Sequence, residues 1–256
     1  AGADPKKDQS YFLCQLTQQQ LSKALFPIGH LQKSEVREIA RSAGLITAEK
    51  KDSQGLCFIG KVRLPDFLQQ QLKPKTGKIV EIPADSPIYE KRELAVAALA
   101  DLQTKRELLA EPFSYQGADG AVVGEHQGAH FFTIGQRRGL GVGGKVEPLF
   151  VISTDVDQNI IYTGMSEEHP GLNRTTLFIA TDDIHWTRPD LALAEGETRE
   201  LLVRIRYRQP LQKATLYQEK AGLYIDFEEA QRGITPGQFA AWYDGSELLG
   251  SGVISH

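Results

Sequence analysis

The sequence predicts an α+β chain in three parts: a helical N-terminal region, a small central domain with a helical insertion, and a C-terminal antiparallel β-barrel. Three observations carry this. Helical spacing of apolar residues is concentrated in the stretch before about residue 48 and in a segment over 84–118. From about residue 146 onward, short β-branched and aromatic runs follow one another with no helical segment between them. A length of 256 residues exceeds what one hydrophobic core usually serves, so two or three domains are expected.

The first helix is read at 16–26. Thr17 and Gln20 stand at capping-box spacing, Leu16 and Leu21 at the staple positions, and Pro27 ends the run. In "KSEVREIARSAGL" Ser34 is a candidate cap, Val36, Ile39, Ala40 and Ala43 recur at helical spacing, and Gly44 offers a left-handed stop. "PDFLQQQL" reads as a third short helix and "GKIVEI" as the first strand. The insertion is rich in strong helix formers, with Leu94, Ala98, Leu102 and Leu109 near one face and Asp101 four residues before Lys105. Strands are then expected at "AHFFTI", "PLFVIST", "NIIYTG", "TLFIAT", "LLVRIRYR", "KATLYQ", "GLYIDF", "QFAAWYD" and "ELLGSGVIS". Turn signals at Asp157–Asn159, Pro170-Gly171, Pro236-Gly237 and Asp244-Gly245 separate several of them. The domain limits that follow are 1–60, 61–145 and 146–256.

Composition excludes several classes. No run approaches the roughly 18 apolar residues of a membrane span, and the first residues are too polar for a secretory signal, so a cytoplasmic protein is expected. Two cysteines, Cys14 and Cys57, build no disulfide framework and match no zinc spacing. His126 and His130 are four apart, but two intervening glycines argue against a helical metal pair, and no metal site is expected. A net charge of −4 requires any nucleic-acid partner to be met by a local basic patch. The chain opens without a methionine, as if in mid-loop, which leads to the expectation that a segment precedes it.

Candidate chemistry is sparse. "GLGVGGKV" has phosphate-loop spacing up to Lys145, but Val146 stands where Ser or Thr would meet magnesium, and a strand follows where a helix is required. Arg204, Arg206 and Arg208 would share one face of a regular strand, either as a phosphate strip or as a solvated barrel face. Cys57, in "KKDSQGLCFIG", reads either as a small packed hydrophobe or as a thiol activated by Lys50 and Lys51 in a glycine-bounded loop. Cys14 reads as core.

Taken together, "KDQSYFL", "KKDSQGLCFIG", "GEHQGAHFFTIGQRRGLGVGG", "RYRQ" and "TPGQ" resemble, in order and approximate spacing, the tRNA-specific 2-thiouridylases. The resemblance implies sulfur transfer to C2 of the wobble uridine of tRNAs for Lys, Glu and Gln. ATP with Mg activates the C2 oxygen as an adenylate, and a cysteine persulfide is charged by a relay protein or a cysteine desulfurase. Carried over by position, Cys57 is the persulfide cysteine. Lys7, Asp8, Gln9, Arg206, Tyr207 and Gln238 are tRNA contacts. Residues 1–60 are then the remnant of an α/β catalytic domain. The family's ATP-pyrophosphatase motifs and its other cysteine, which would form a disulfide with Cys57, are not in this sequence. For both Arg206 and Tyr207 to reach RNA, the strand must end or bulge there. The alternative is an RNA-binding module without catalysis.

Overall fold

The computed structural model describes residues 1–50 and 72–256. Cys57 and most of the third helix expected at "PDFLQQQL" lie outside the described residues.

The N-terminal part is helical in short pieces. A 3-10 turn spans Ser10–Leu13, α1 spans Gln18–Leu21, and α2 spans Lys33–Ser42. Thr17 makes the expected capping box with Gln20. However, α1 lasts one turn rather than reaching Pro27, because the amides of Lys23 and Ala24 bond back three residues to Gln20 and Leu21. Helix α2 is capped by Gln32 and Glu35 rather than by Ser34, and Gly44 takes the expected left-handed conformation at φ +67°.

Four strands make a first, mixed sheet in the order β2-β1-β4-β3: β1 (Gly77–Glu81), β2 (Ala121–His126), β3 (Leu149–Asp155) and β4 (Ile160–Met165). β1 pairs in parallel with β4 and antiparallel with β2. Strand alternation sends Val80, Phe150, Ile152 and Tyr162 to one core and Ile79, Leu149, Val151 and Ile161 to another, so both faces are covered. The β3–β4 hairpin, grouped by sequence with the C-terminal strands, therefore belongs to this sheet. "AHFFTI" is not a strand. Gly128 at φ +139° starts a 3-10 turn over Ala129–Phe131, fixed by a bond from the Ala129 amide to Asn159 Oδ1 at 3.0 Å.

The insertion is helical, as two helices rather than one face: α3 (Pro87–Ala98) and α4 (Leu102–Ala110). Asp101 does not serve as a charge partner spaced for Lys105. Its carboxylate caps α4, accepting from Thr104 N at 2.7 Å. Leu94 and Leu102, expected on a packed face, are exposed, and Tyr89 and Ala110 are buried instead. Tyr89 enters the first sheet's core, while Arg106 of α4 pairs with Glu219 of the second sheet at 2.8 Å.

Seven strands make the second, antiparallel sheet: β5 (Asn173–Ala180), β6 (Ile184–Trp186), β7 (Thr198–Arg204), β8 (Gln212–Glu219), β9 (Gly222–Arg232), β10 (Phe239–Asp244) and β11 (Glu247–Val253). Their order is β5-β9-β8-β7-β10-β11-β6. The sheet curls until its edge strand β5 meets the tail that follows β11: Phe178 N bonds His256 O, and Ser255 N bonds Phe178 O, both at 2.9 Å. Inside lie Leu177, Ile179, Val203, Leu216, Ile225 and Trp242.

Candidate nucleic-acid interface

The N-terminal segment reaches the barrel through Tyr11 and Cys14, which pack against Ala241 and Tyr243. Tyr11 Oη donates to the carbonyls of Phe239 at 2.9 Å and Ile205 at 3.2 Å. Burial pushes this phenol up to about 12, so it remains a donor at neutral pH.

Asp8 is the polar half of the same anchor. It is 4% exposed and accepts from the amides of Gly2 (3.1 Å) and Ser10 (3.0 Å) and from Ser10 Oγ (2.9 Å). Arg204 Nη1 lies 3.2 Å away. Burial works to raise the carboxyl, but the hydrogen bonds from Ser10 and Gly2 and the Arg204 charge outweigh it, leaving Asp8 below the usual carboxylate range. Its neighbours differ: Lys7 is half-buried and Gln9 is exposed.

The "RYRQ" segment is not strand. β7 ends at Arg204, and Gln209 folds back to accept the Ile205 amide at 2.9 Å while donating to Gln231 Oε1 at 2.7 Å. The three arginines consequently do not form one strip. Arg204 points inward to Asp8, with its guanidinium 4.9 Å from the Tyr243 ring. Arg206 is half-buried and donates to the Gly233 carbonyl, so it is not a simple outward side chain. Arg208 alone is exposed, in a left-handed conformation at φ +67°. Ending the strand also lifts the rule that would oppose Arg206 and Tyr207.

Arg206 marks where three chain segments converge. Gly135 and Gly233, at φ +83° and +64°, face one another beside its guanidinium. A Cβ on Gly233 would fall 2.6 Å from Arg206 Nη2, so glycine is required for the guanidinium to sit there. Gly135 N bonds Val151 O of the first sheet and Gly233 N bonds Leu172 O, both at 2.7 Å. The arginine therefore sits at the seam of the two sheets.

Gln238 lies one residue before Phe239, the carbonyl that receives Tyr11, and its Oε1 is buried without a hydrogen-bond partner. Arg137 and Arg138, two and three residues after Gly135, are exposed and have no ion-pair partner among the described residues. The seam thus carries local positive charge on a net-acidic chain. Sequence reasoning missed Gly135, Gly233 and Gln209; Gly135 and Gln209 stand inside the quoted motifs, which was the available signal, whereas Gly233 lies two residues before "TPGQ".

The 139–145 loop does not have the form of a phosphate loop. Gly139, Gly141 and Gly144 turn the chain through positive φ, Lys145 is engaged by Glu81, and strand β3 follows. Cys14 is 1% exposed, and burial pushes its thiol up, which suits packing and not nucleophilic work.

Three family models match the chain: a "tRNA methyl transferase HUP domain" at residues 1–61, a "tRNA methyl transferase PRC-barrel domain" at 114–165, and an "Aminomethyltransferase beta-barrel domain" at 176–254. Proteins called tRNA-specific 2-thiouridylase MnmA match all of it, at 61% identity in Christiangramia forsetii and 60% in Flavobacterium johnsoniae, each over 255 residues. The chain belongs to the tRNA-specific 2-thiouridylase family. It spans 64% of the length of these two relatives. A more distant 2-thiouridylase, from Karelsulcia muelleri, is 44% identical over the whole chain and 63% of its own length.

Proposed function

We propose that this chain carries the sulfur-transfer and tRNA-holding parts of a tRNA 2-thiouridylase. The observation that supports it best is the gathering around Tyr11 and the sheet seam of residues from "KDQSYFL", "GQRRG", "RYRQ" and "TPGQ", segments far apart in sequence. In this reading Lys7, Gln9, Arg206, Tyr207 and Gln238 contact the tRNA. Asp8 acts on RNA through Arg204 and Ser10, holding the segment in place. The substrates are tRNAs for Lys, Glu and Gln, and the compartment is the cytoplasm.

Cys57 carries the transferable sulfur as a persulfide. Its terminal sulfur attacks C2 of the activated wobble uridine, the C2–O bond breaks, and sulfur replaces oxygen. A second cysteine then attacks the Sγ of Cys57 in the Cys57–S–S–C2 adduct so formed, the S–S bond breaks to free the 2-thiouridine, and the disulfide left with Cys57 is reduced by a cellular thiol. A relay protein or a cysteine desulfurase recharges the thiol. ATP and Mg bind in the part of the relatives outside the matched length. Domain limits near residues 60 and 145 belong to the same proposal, with the second moved toward the start of β5.

The test joins two measurements. Timed alkylation of the folded chain, with mass-spectrometric assignment, should label Cys57 well before Cys14. Cys57→Ser in the full-length protein should abolish thiolation and leave tRNA affinity unchanged. Labelling of Cys57 only on unfolding, together with a Ser variant that still thiolates, would overturn the assignment. Intact tRNA binding with no thiolation by the unaltered full-length protein would favour the binding module. The matched family names speak of methyl transfer, so methyl incorporation is assayed in parallel and is expected to be absent.

A further inference from the structure

Phe12 is not among the contacts proposed above, yet its placement calls for a partner. The Ser10–Leu13 turn drives Tyr11 into the barrel's side and directs Phe12 outward, where it is 64% exposed. An aromatic ring left in water forgoes the stabilisation that burial gives. It is nevertheless held in place, with its centroid 4.4 Å from that of Tyr207 and the planes 45° apart. Arg208 Cζ stands 5.0 Å from the Tyr207 ring, and the left-handed backbone of Arg208 is of the strained kind that gathers at functional sites. Arg208 is exposed and has no ion-pair partner among the described residues.

We propose that Phe12 and Tyr207 form a stacking platform for one unpaired base of the RNA, with Arg208 receiving the adjoining phosphate. This rests on RNA being the partner. A base presents a flat π-face of the right kind to an exposed ring, and its phosphate supplies the anion that a neighbouring guanidinium requires. The charge argues against an apolar protein segment, which would have to desolvate Arg208 without pairing it. The two rings are brought together only by folding, through the bond from Tyr11 Oη to Ile205 O.

The experiment uses the 256-residue chain and an RNA hairpin carrying 2-aminopurine in its loop. Binding by the unaltered chain should quench 2-aminopurine fluorescence by stacking. Phe12→Ala should lower affinity about tenfold and remove the quench, with the salt dependence of binding unchanged, since no charge is lost. Phe12→Trp should restore both. Arg208→Gln should reduce the salt slope by about one while keeping the quench. Thermal melts of each variant check the fold, and Phe12, being exposed, should leave the midpoint unmoved. If the unaltered chain does not bind the hairpin, the RNA reading fails at its root. If it binds and Phe12→Ala binds equally well with the same quench, the platform alone is overturned.

Discussion

Inside the barrel Leu177, Ile179, Val203, Leu216 and Trp242 are wholly removed from water, whereas helix α2 buries no side chain and Leu25, Ile28, Ile39 and Ile46 face outward. Each buried barrel side chain of this size is worth about 1.5–3 kcal/mol. The N-terminal segment instead draws its hold from Tyr11, Cys14 and the hydrogen bonds of Asp8. One region is stabilised by non-directional burial and the other by a few directional contacts. The proposed RNA contacts come from both, so the position of Lys7, Gln9 and Phe12 can be lost while the barrel stays folded.

The comparison breaks most severely at Trp242, which packs against Trp186 with centroids 5.2 Å apart. Trp242→Ala should cost roughly 3–5 kcal/mol and unfold barrel and docking site together, as read by chemical denaturation. Asp8→Ala should separate the two regions. Arg204 would be left buried and unpaired at about 3 kcal/mol, and hydrogen exchange should speed at the Ser10 and Phe12 amides while β8 and β9 stay protected. Equal loss of protection in both would make the anchor part of the barrel's own stability.

Gly233→Ala tests the seam. A left-handed alanine costs about 1–2 kcal/mol, and its Cβ displaces Arg206, so RNA affinity should fall beyond what the melting shift accounts for.

Acid sharpens the comparison through His169 beside the first sheet, with His256 at the barrel's edge shifted in the same direction by burial. His169 accepts the Gly171 amide on Nδ1 at 3.2 Å, so its proton sits on Nε2, facing Ile82 O at 3.1 Å. Burial lowers its pKa from the ordinary 6.5. The unfolded state therefore binds the proton first. Stability is fully present above about pH 6.5 and falls below it, by up to about 1.4 kcal/mol per pH unit, until the folded pKa is reached. Asp8 follows the carboxylate rule: its contribution is present above about pH 3.9 and is lost as pH falls through its depressed value. Melting curves between about pH 7.5 and about pH 5 should show the first effect without the second. The smallest effect is expected at Arg138. Arg138→Ala should change stability by less than about 0.5 kcal/mol and lower the salt slope of RNA binding by about one.

Much of the proposed interface could be named from the sequence because the family resemblance rests on short contiguous motifs. Chemistry-bearing residue types in "KDQ", "RYRQ" and "TPGQ" need no fold to be noticed. What could not be read was which way they point. Asp8 and Gln9 are adjacent, yet one is buried and the other exposed, because Arg204 and Ser10 happen to close over Asp8. Phe12 and Tyr207 are far apart along the chain, and no spacing rule connects them.

By itself the sequence determined most of the short strands with their turns, though neither β2 nor β6, together with the Thr17 cap, the Gly44 stop and the helical character of the insertion. These depend on backbone preferences and bonds between near neighbours, which residue identity sets directly. Only the tertiary structure decided that the β3–β4 hairpin pairs with β1, that β7 stops at Arg204, and that Arg206 lies between two glycines at the seam. Those outcomes depend on which distant surfaces exclude water from one another. Apolar burial carries no direction along the chain, so alternation can say which side of a strand is apolar but not which partner will cover it.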